Sequence, residues 1–598
     1  MLNRFKPIRR RWRRFRHNLP FYISRLRLRL ATVDNVPQLA ALGLLVGLLA
    51  GGVIIGFRGL IDVAQSLFLG GDSAESYSSL SSLQRVALPT LAGLIIGVVW
   101  HYLPVPARQV GVVHVLERLA YHQARLPILN AVVQFFAAGL AIISGHSVGR
   151  EGPGIHLGAT SGSQLGQWLG LPNNSTRTLV ACGVAAAIAA GFNTPLAGVI
   201  FAMEVVMMEY TITGFTPVIL SSVSATALTR WVYGASPAFV VPALTMGSIL
   251  ELPIVLGLGV GIGILAALFV RIIERTQHYS SRLPIWSRPT LAGLIVGLGA
   301  LAFPQIMGIG YDTVSGALLS EMGLGVLVGI AIVKLLATSI SIGLGMPGGI
   351  IGPTLVIGAT AGGAIGLVAA EVLPGNVASH GFYAMVGMGA MMGATLHAPL
   401  AALMALLELT ANPNIILPGM LAVIGAGLVS GELFKCKPVY LALLQSLGLD
   451  YRNDPMAQSL RRIGVVKVMN TQFVTAPQLL GLEEARKIIK TKPEWIVVRG
   501  EHGPQALLPA ADLARQLQGP NDDIETNNVD VVKLIDLLEI PAVRQDLTRS
   551  HVQASLQDAL DTLNQNKVDA LYITHGARSH TPRIYGVLTR KDIEQAYS

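Results

Sequence analysis

Charge is scarce in this sequence. Asp, Glu, Lys and Arg make up 13% of its 598 residues, about half the share usual in soluble domains. So few ionic groups cannot clothe most of this length in a water-facing surface, and the 52% of hydrophobic residues need a partner other than water. Cysteine is nearly missing: Cys182 and Cys436 are the only two, which excludes a disulfide framework and a thiolate metal cluster. The histidines His114, His146, His156 and His397 lack the i, i+3 or i, i+4 spacing of a metal pair on one helix, so no metal site is expected. Acid is in deficit, 34 residues against 44 basic ones, and the basic excess lies almost entirely at the N-terminus.

Apolar runs fill the space that charge leaves. Residues 37–57, 86–100, 179–203, 252–270, 289–310, 335–370 and 409–431 carry no charge. Several reach the roughly 20 residues of a spanning helix, whereas others are short or broken by Gly and Pro. Broken segments are expected to enter a bilayer without crossing it, buried in protein or lining a wet cavity, and 65 glycines allow close helix contact. Residues 1–34 form a basic arm, with Arg9, Arg10, Arg11, Arg13, Arg14 and Arg16 clustered around Trp12 and Phe15. The positive-inside rule keeps such an arm cytoplasmic, against anionic lipid headgroups rather than nucleic acid. It does not read as a cleaved signal, because no short apolar stretch with a small-residue cleavage site follows it.

The apolar region is duplicated. Residues 152–162, GPGIHLGATSG, return at an offset of 200 as residues 352–362, GPTLVIGATAG, and Pro195-Leu196-Ala197 running to Glu204 returns as Pro399-Leu400-Ala401 running to Glu408. Duplicated, glycine-broken apolar halves mark a transport fold with its site between the halves. Glu151 precedes the first copy, and Ile351 stands in its place in the second. Gly149-Arg150-Glu151-Gly152-Pro153 sets this unduplicated acid at a helix start, where free N–H groups attract an anion and an ionised side chain competes with it. Carboxylates at membrane depth are costly and by default functional. Glu204 and Glu408 recur in both halves, which argues for a structural role. Gly145-His146-Ser147-Val148-Gly149 also fits the G-x-S-x-G nucleophile elbow of hydrolases, a motif that needs a strand before it.

From about residue 460 the composition turns soluble, with a charged helix at Leu482 to Lys490 and an alternating strand at Trp495 to Arg499. Residues 507–513 match residues 587–593 at an offset of 80, with the polar stretch Gly519 to Asp530 between. Gly586-Val587-Leu588-Thr589-Arg590-Lys591-Asp592 resembles the closing strand and helix start of a cystathionine-beta-synthase (CBS) domain. That resemblance implies an adenine-nucleotide site at Thr589 and Asp592; Pro509 replaces the Thr in the first copy.

Together, GREGP at 149–153, Gly348-Gly349-Ile350-Ile351-Gly352-Pro353, Lys437-Pro438-Val439-Tyr440 and the Pro-Leu-Ala copies resemble the CLC family of chloride channels and proton-coupled chloride antiporters. The resemblance covers about residues 35–445. It implies that Glu151 is the gate and that the Tyr440 hydroxyl faces the anion. Backbone near Ile350, Ile351, Gly149, Arg150 and Gly152 would complete the cradle, in an assembly that is a homodimer with one pore per subunit. Two departures stand out. Where the family has Gly-Ser-Gly-Ile-Pro, this chain reads Gln109-Val110-Gly111-Val112-Val113, so Val110 replaces a hydroxyl donor. A hydrogen bond to a charged group is worth about 1.5–3 kcal/mol. The proton-relay position after Glu204 is Val205, although Glu209 lies little more than a helical turn on.

The expected architecture is an all-α polytopic membrane domain of two inverted repeats, residues 35–450, followed by a soluble α/β CBS pair. The segments are a linker at 451–464, a first motif at 465–519, a linker at 520–540 and a second motif at 541–598. The expected function is a passive chloride channel of the inner membrane, gated by pH and voltage through Glu151, with N-terminus and tail cytoplasmic. A proton-coupled antiporter of chloride or another small anion is the alternative, followed by a nucleotide sensor or a G-x-S-x-G hydrolase. No cofactor is required, with an adenine nucleotide possible at the tail.

Overall fold

The structure, a computed structural model, describes residues 36–69, 77–210, 212–235, 239, 246–372, 378–449, 455–500, 503–518, 534–574 and 583–597. The basic arm and the polar stretch 519–530 lie outside them. Two compact units are present, one of Val36–Gln167 with Thr176–Arg452, the other of Asn453–Ser598 with Trp168–Ser175.

Among the described residues of the first unit, seven helices are long and apolar enough to cross a membrane, from Val36–Phe68 to Pro413–Leu433. Shorter apolar helices, among them Ile128–Ile143, Ser287–Ala302 and Pro399–Thr410, lie between them. The charge-free run 335–370, continuous in sequence, is two helices. Leu324–Gly343 stops, the chain turns at Gly345, and Ile351–Val372 begins. The first half does the same at Gly145, between Ile128–Ile143 and Glu151–Leu169. Gly145 and Gly345 have φ of 85° and 83°, a left-handed conformation that glycine adopts without a Cβ clash.

These matched turns bring the starts of Glu151–Leu169 and Ile351–Val372 together. Gly149 N–H donates to the Gly349 carbonyl at 2.7 Å and Gly349 N–H donates to the Gly149 carbonyl at 2.6 Å. The two halves thus meet in a reciprocal antiparallel bridge, as an inverted repeat requires. The helices behind them pack equally tightly. A Cβ on Gly158 would strike the Gly183 backbone, and one on Gly358 the Gly387 backbone. Small residues at crossings let apolar helices approach by van der Waals contact, the main attraction between helices where no water drives them together.

The second unit holds a six-stranded sheet in the order β1-β3-β4-β6-β7-β8. Its strands are β1 (Phe473–Pro477), β3 (Trp495–Gly500), β4 (Gly503–Pro509), β6 (Gln545–His551), β7 (Ala570–Thr574) and β8 (Ile584–Thr589). The duplication is explicit in the pairing. β1 runs parallel to β3 and β3 antiparallel to β4, just as β6 runs parallel to β7 and β7 antiparallel to β8. Helices Leu482–Lys490 and Leu556–Asn566 occupy equivalent places. This α/β pattern is consistent with a CBS pair.

The segments expected as linkers carry elements of their own. Residues 451–464 contain the helix Pro455–Arg462, and 520–540 contain β5 (Leu534–Asp536), which pairs antiparallel with β2 (Leu479–Gly481). Both segments carry core residues: Leu460, with Val465 just beyond its segment, packs with the second copy, and Leu537 and Ile540 pack with the first. Each copy is therefore closed by the segment that precedes the other. A few apolar residues at i, i+3 or i, i+4 spacing suffice for this, too weak a pattern to stand out beside polar neighbours.

Candidate functional site

Glu151 opens its helix and is 5% exposed. Its carboxylate is held by the opposite half of the molecule. Oε2 accepts from the Gly352 backbone N–H at 3.1 Å and Oε1 accepts from the Tyr311 hydroxyl at 2.6 Å. The Gly352 N–H is one of the free donors at the start of Ile351–Val372, where unpaired N–H groups and the helix dipole favour negative charge. Both of these hydrogen-bond donors are neutral, and neutral dipoles can release a charged group as readily as they hold it.

Arg150, the residue before Glu151, lines a narrow cavity together with it. Its guanidinium donates to the Gly191 carbonyl at 3.1 Å and lies 5.0 Å over the Tyr311 ring. It thus supports the ring that holds Glu151. Tyr311 sits at the start of Tyr311–Leu318, and the loop before it is fixed by Lys334, fully buried, whose Nζ donates to the Ile306 and Gly308 carbonyls, each at 2.8 Å.

A cavity of about 410 Å³ opens beside these helix starts. Val110, Gly152, Gly349, Ile350, Gln134 and Tyr440 are among the residues lining it. The Tyr440 hydroxyl is buried and unpaired, and both amide atoms of Gln134 are unpaired as well. Val110 is the residue before helix Gly111–Tyr121, with extended backbone and no side-chain cap. Ile351 is buried at the start of its own helix, and Gly149 is committed to the bridge with Gly349. Glu151 borders a second, narrower cavity of about 20 Å³, shared with Arg58 and Arg150, whose positive charge raises the local concentration of anions.

Glu204 and Glu408 act as reciprocal caps. The Glu204 carboxylate accepts from Leu400 and Ala401 N–H at 3.2 and 2.6 Å, and the Glu408 carboxylate accepts from Leu196 and Ala197 N–H at 3.0 and 2.7 Å. Each seals the helix start of the other half. Val205 lies buried in the π-helical stretch Ala202–Met207, and Glu209 pairs with Arg177 at 3.9 Å. Ser147 is fully buried and shares a hydrogen bond with Thr338 Oγ1 at 2.8 Å, and a helix rather than a strand precedes it. The G-x-S-x-G pattern at 145–149 therefore lacks the setting of a nucleophile elbow, which needs an exposed hydroxyl after a strand.

Several site residues carry no sequence signal. Tyr311 meets Glu151 from 160 positions away, Gln134 is one of two polar residues, with Asn130, in an apolar run, and Gly352, although inside the repeated motif, gives no sign there that it pairs with Glu151, 201 positions away. His114 Nδ1 and His156 Nε2 lie 2.8 Å apart, both rings buried, although 42 positions separate them. Among the described residues no cluster of three or more His, Cys, Asp or Glu is able to hold a metal ion. In the second unit, the Thr589 N–H and hydroxyl both donate to Asp592 Oδ2, at 2.8 and 2.7 Å, while Asp592 N–H donates to Thr589 Oγ1. This reciprocal capping box engages both side chains.

Two helical halves that bond through their helix starts around a tethered carboxylate define a duplicated membrane transport protein. The sequence model described as voltage gated chloride channel matches residues 91–431, and the chain belongs to that family, the CLC family. A putative chloride channel protein, ClcB-like, of Ralstonia nicotianae is 33% identical over 381 residues, 63% of this chain and 89% of that protein. The H(+)/Cl(-) exchange transporter ClcA of Vibrio cholerae is 31% identical over 321 residues, 52% of this chain and 68% of that protein. A slow cyanobacterial Cl-/H+ antiporter of known crystal structure shares the fold with a TM-score of 0.61 and 24% identity, covering 68% of this chain and 97% of that one.

Proposed function

We propose that this protein exchanges chloride for protons across the inner membrane, working as a homodimer with its N-terminus and tail in the cytoplasm. The observation that carries this reading is the Glu151 carboxylate bonded to Gly352 N–H and the Tyr311 hydroxyl. An ionised Glu151 and a chloride ion compete for the same dipoles, and protonation weakens the carboxylate's hold and opens the position to the ion. One group thus handles both ions in turn. The likeness to proteins named as exchangers supports coupling over the passive conduction expected from Val205. Protons bypass Val205 through water in the large cavity, where Glu117 and His114 also line the wall. Substituting Glu151→Gln tests this: chloride efflux from liposomes should persist and become independent of external pH, and a retained pH dependence would refute the assignment.

A passive chloride channel is the second reading, favoured by the buried, apolar Val205. Its mark is chloride flux with no accompanying proton. In the tail we propose an adenine-nucleotide site near Thr589 and Asp592. The nucleotide would have to take over donors now engaged in the capping box. Millimolar AMP or ATP should then slow hydrogen exchange at residues 586–592 of the full-length protein; unchanged exchange would leave the tail a structural element.

A further inference from the structure

Gln134 is fully buried within the helix Ile128–Ile143, yet neither its amide nitrogen nor its oxygen has a hydrogen-bond partner. Buried polar groups are nearly always paired, so a carboxamide unpaired at both ends points to a partner of its own. The side chain lines the large cavity together with Val110, Ile350 and Tyr440. Its direction is fixed by its neighbour one turn back. Asn130 donates to the Pro106 and Gln109 carbonyls at 2.7 and 2.8 Å, and residues four apart share a helix face. This face therefore looks onto the loop that ends in Val110.

The duplication gives an independent pointer. At the offset of 200 the counterpart of Gln134 is Lys334, whose Nζ reaches the carbonyls of the equivalent loop. Both halves aim a long polar side chain at the start of their short helix, but only the second half supplies it with carbonyls. In the first half the target is the cavity.

We propose that the Gln134 carboxamide is a side-chain donor to the anion in this cavity, in the role that the hydroxyl missing at Val110 would otherwise serve. The inference rests on the anion-transport reading above. The N–H group faces the anion beside the unpaired Tyr440 hydroxyl, and the amide oxygen takes a water of the same cavity. The apolar Val110 is then compensated from a different helix.

The test is chloride binding by calorimetry to the full-length protein in detergent, for wild type, Gln134→Leu, Gln134→Met and the pair Gln134→Leu with Val110→Ser. Each variant is first checked for an unchanged size-exclusion profile. Loss of a donor to an ion should weaken binding roughly ten- to hundredfold, and Val110→Ser should restore most of it. Wild-type affinity in Gln134→Met or Gln134→Leu would overturn the proposal while leaving anion transport intact. A wild type that neither binds nor carries chloride would overturn both.

Discussion

The Tyr311 hydroxyl donates to Glu151 Oε1 at 2.6 Å, so a side chain of the second half holds an acid of the first half that Ile351 replaces in the second. Removing it with Tyr311→Phe deletes a charge-assisted hydrogen bond worth about 1.5–3 kcal/mol. The ionised Glu151 should then leave its position more readily, and chloride flux at neutral pH should rise by roughly tenfold or more. Flux measured in liposomes checks this, and an unchanged or lower rate would mean that Tyr311 does not restrain the carboxylate.

The reciprocal caps give a symmetric prediction. Glu204→Gln and Glu408→Gln each weaken two backbone bonds at a helix start, at an expected cost of about 1 kcal/mol of stability. The two variants should melt alike and still move chloride and protons in the wild-type ratio. A loss of proton movement confined to Glu204→Gln would show that this residue takes part in the relay.

Packing where the halves touch separates essential from incidental glycines. A Cβ on Gly152 would lie 2.7 Å from Gly349 Cα, backbone that has no room to give, whereas one on Gly191 would meet nothing within 4 Å. Gly152→Ala should fail to yield folded protein, and Gly191→Ala should fold with wild-type flux and equal or slightly higher stability, because alanine favours a helix interior. Size-exclusion yield and a thermal melt distinguish them.

In the tail, Thr589→Val removes the cap of helix Arg590–Gln595. A lost Thr cap costs about 1 kcal/mol, so amide exchange in this last helix should speed about fivefold. Unchanged exchange would mean that the helix is held by Ile593, buried in the core, and not by its cap.

Glu151 was legible in the sequence because duplication supplies its own control: a costly acid in one copy and Ile351 in the other is a difference that packing alone does not demand. The tail's repeat was legible for the same reason, through the match of residues 507–513 to 587–593. Tyr311 and Gln134 were not, nor was the pairing of Gly352 with Glu151. The first two are ordinary residues for their local segments, and all three gain their roles only when turns at Gly145 and Gly345 bring distant helix starts together. The closing segments around Leu460 and Ile540 were hidden similarly, since polar neighbours outnumber the few residues that reach a core. The break inside residues 335–370 left no change in polarity, and Gly345 was one glycine among many.

The central claim is that Glu151 couples the two ions, and it is tested most directly by recording chloride and proton movement together in liposomes of the purified protein under a chloride gradient. Wild type should drive protons against their gradient, and Glu151→Gln should pass chloride without them. Wild-type chloride flux with no proton movement would contradict the account and establish a passive channel.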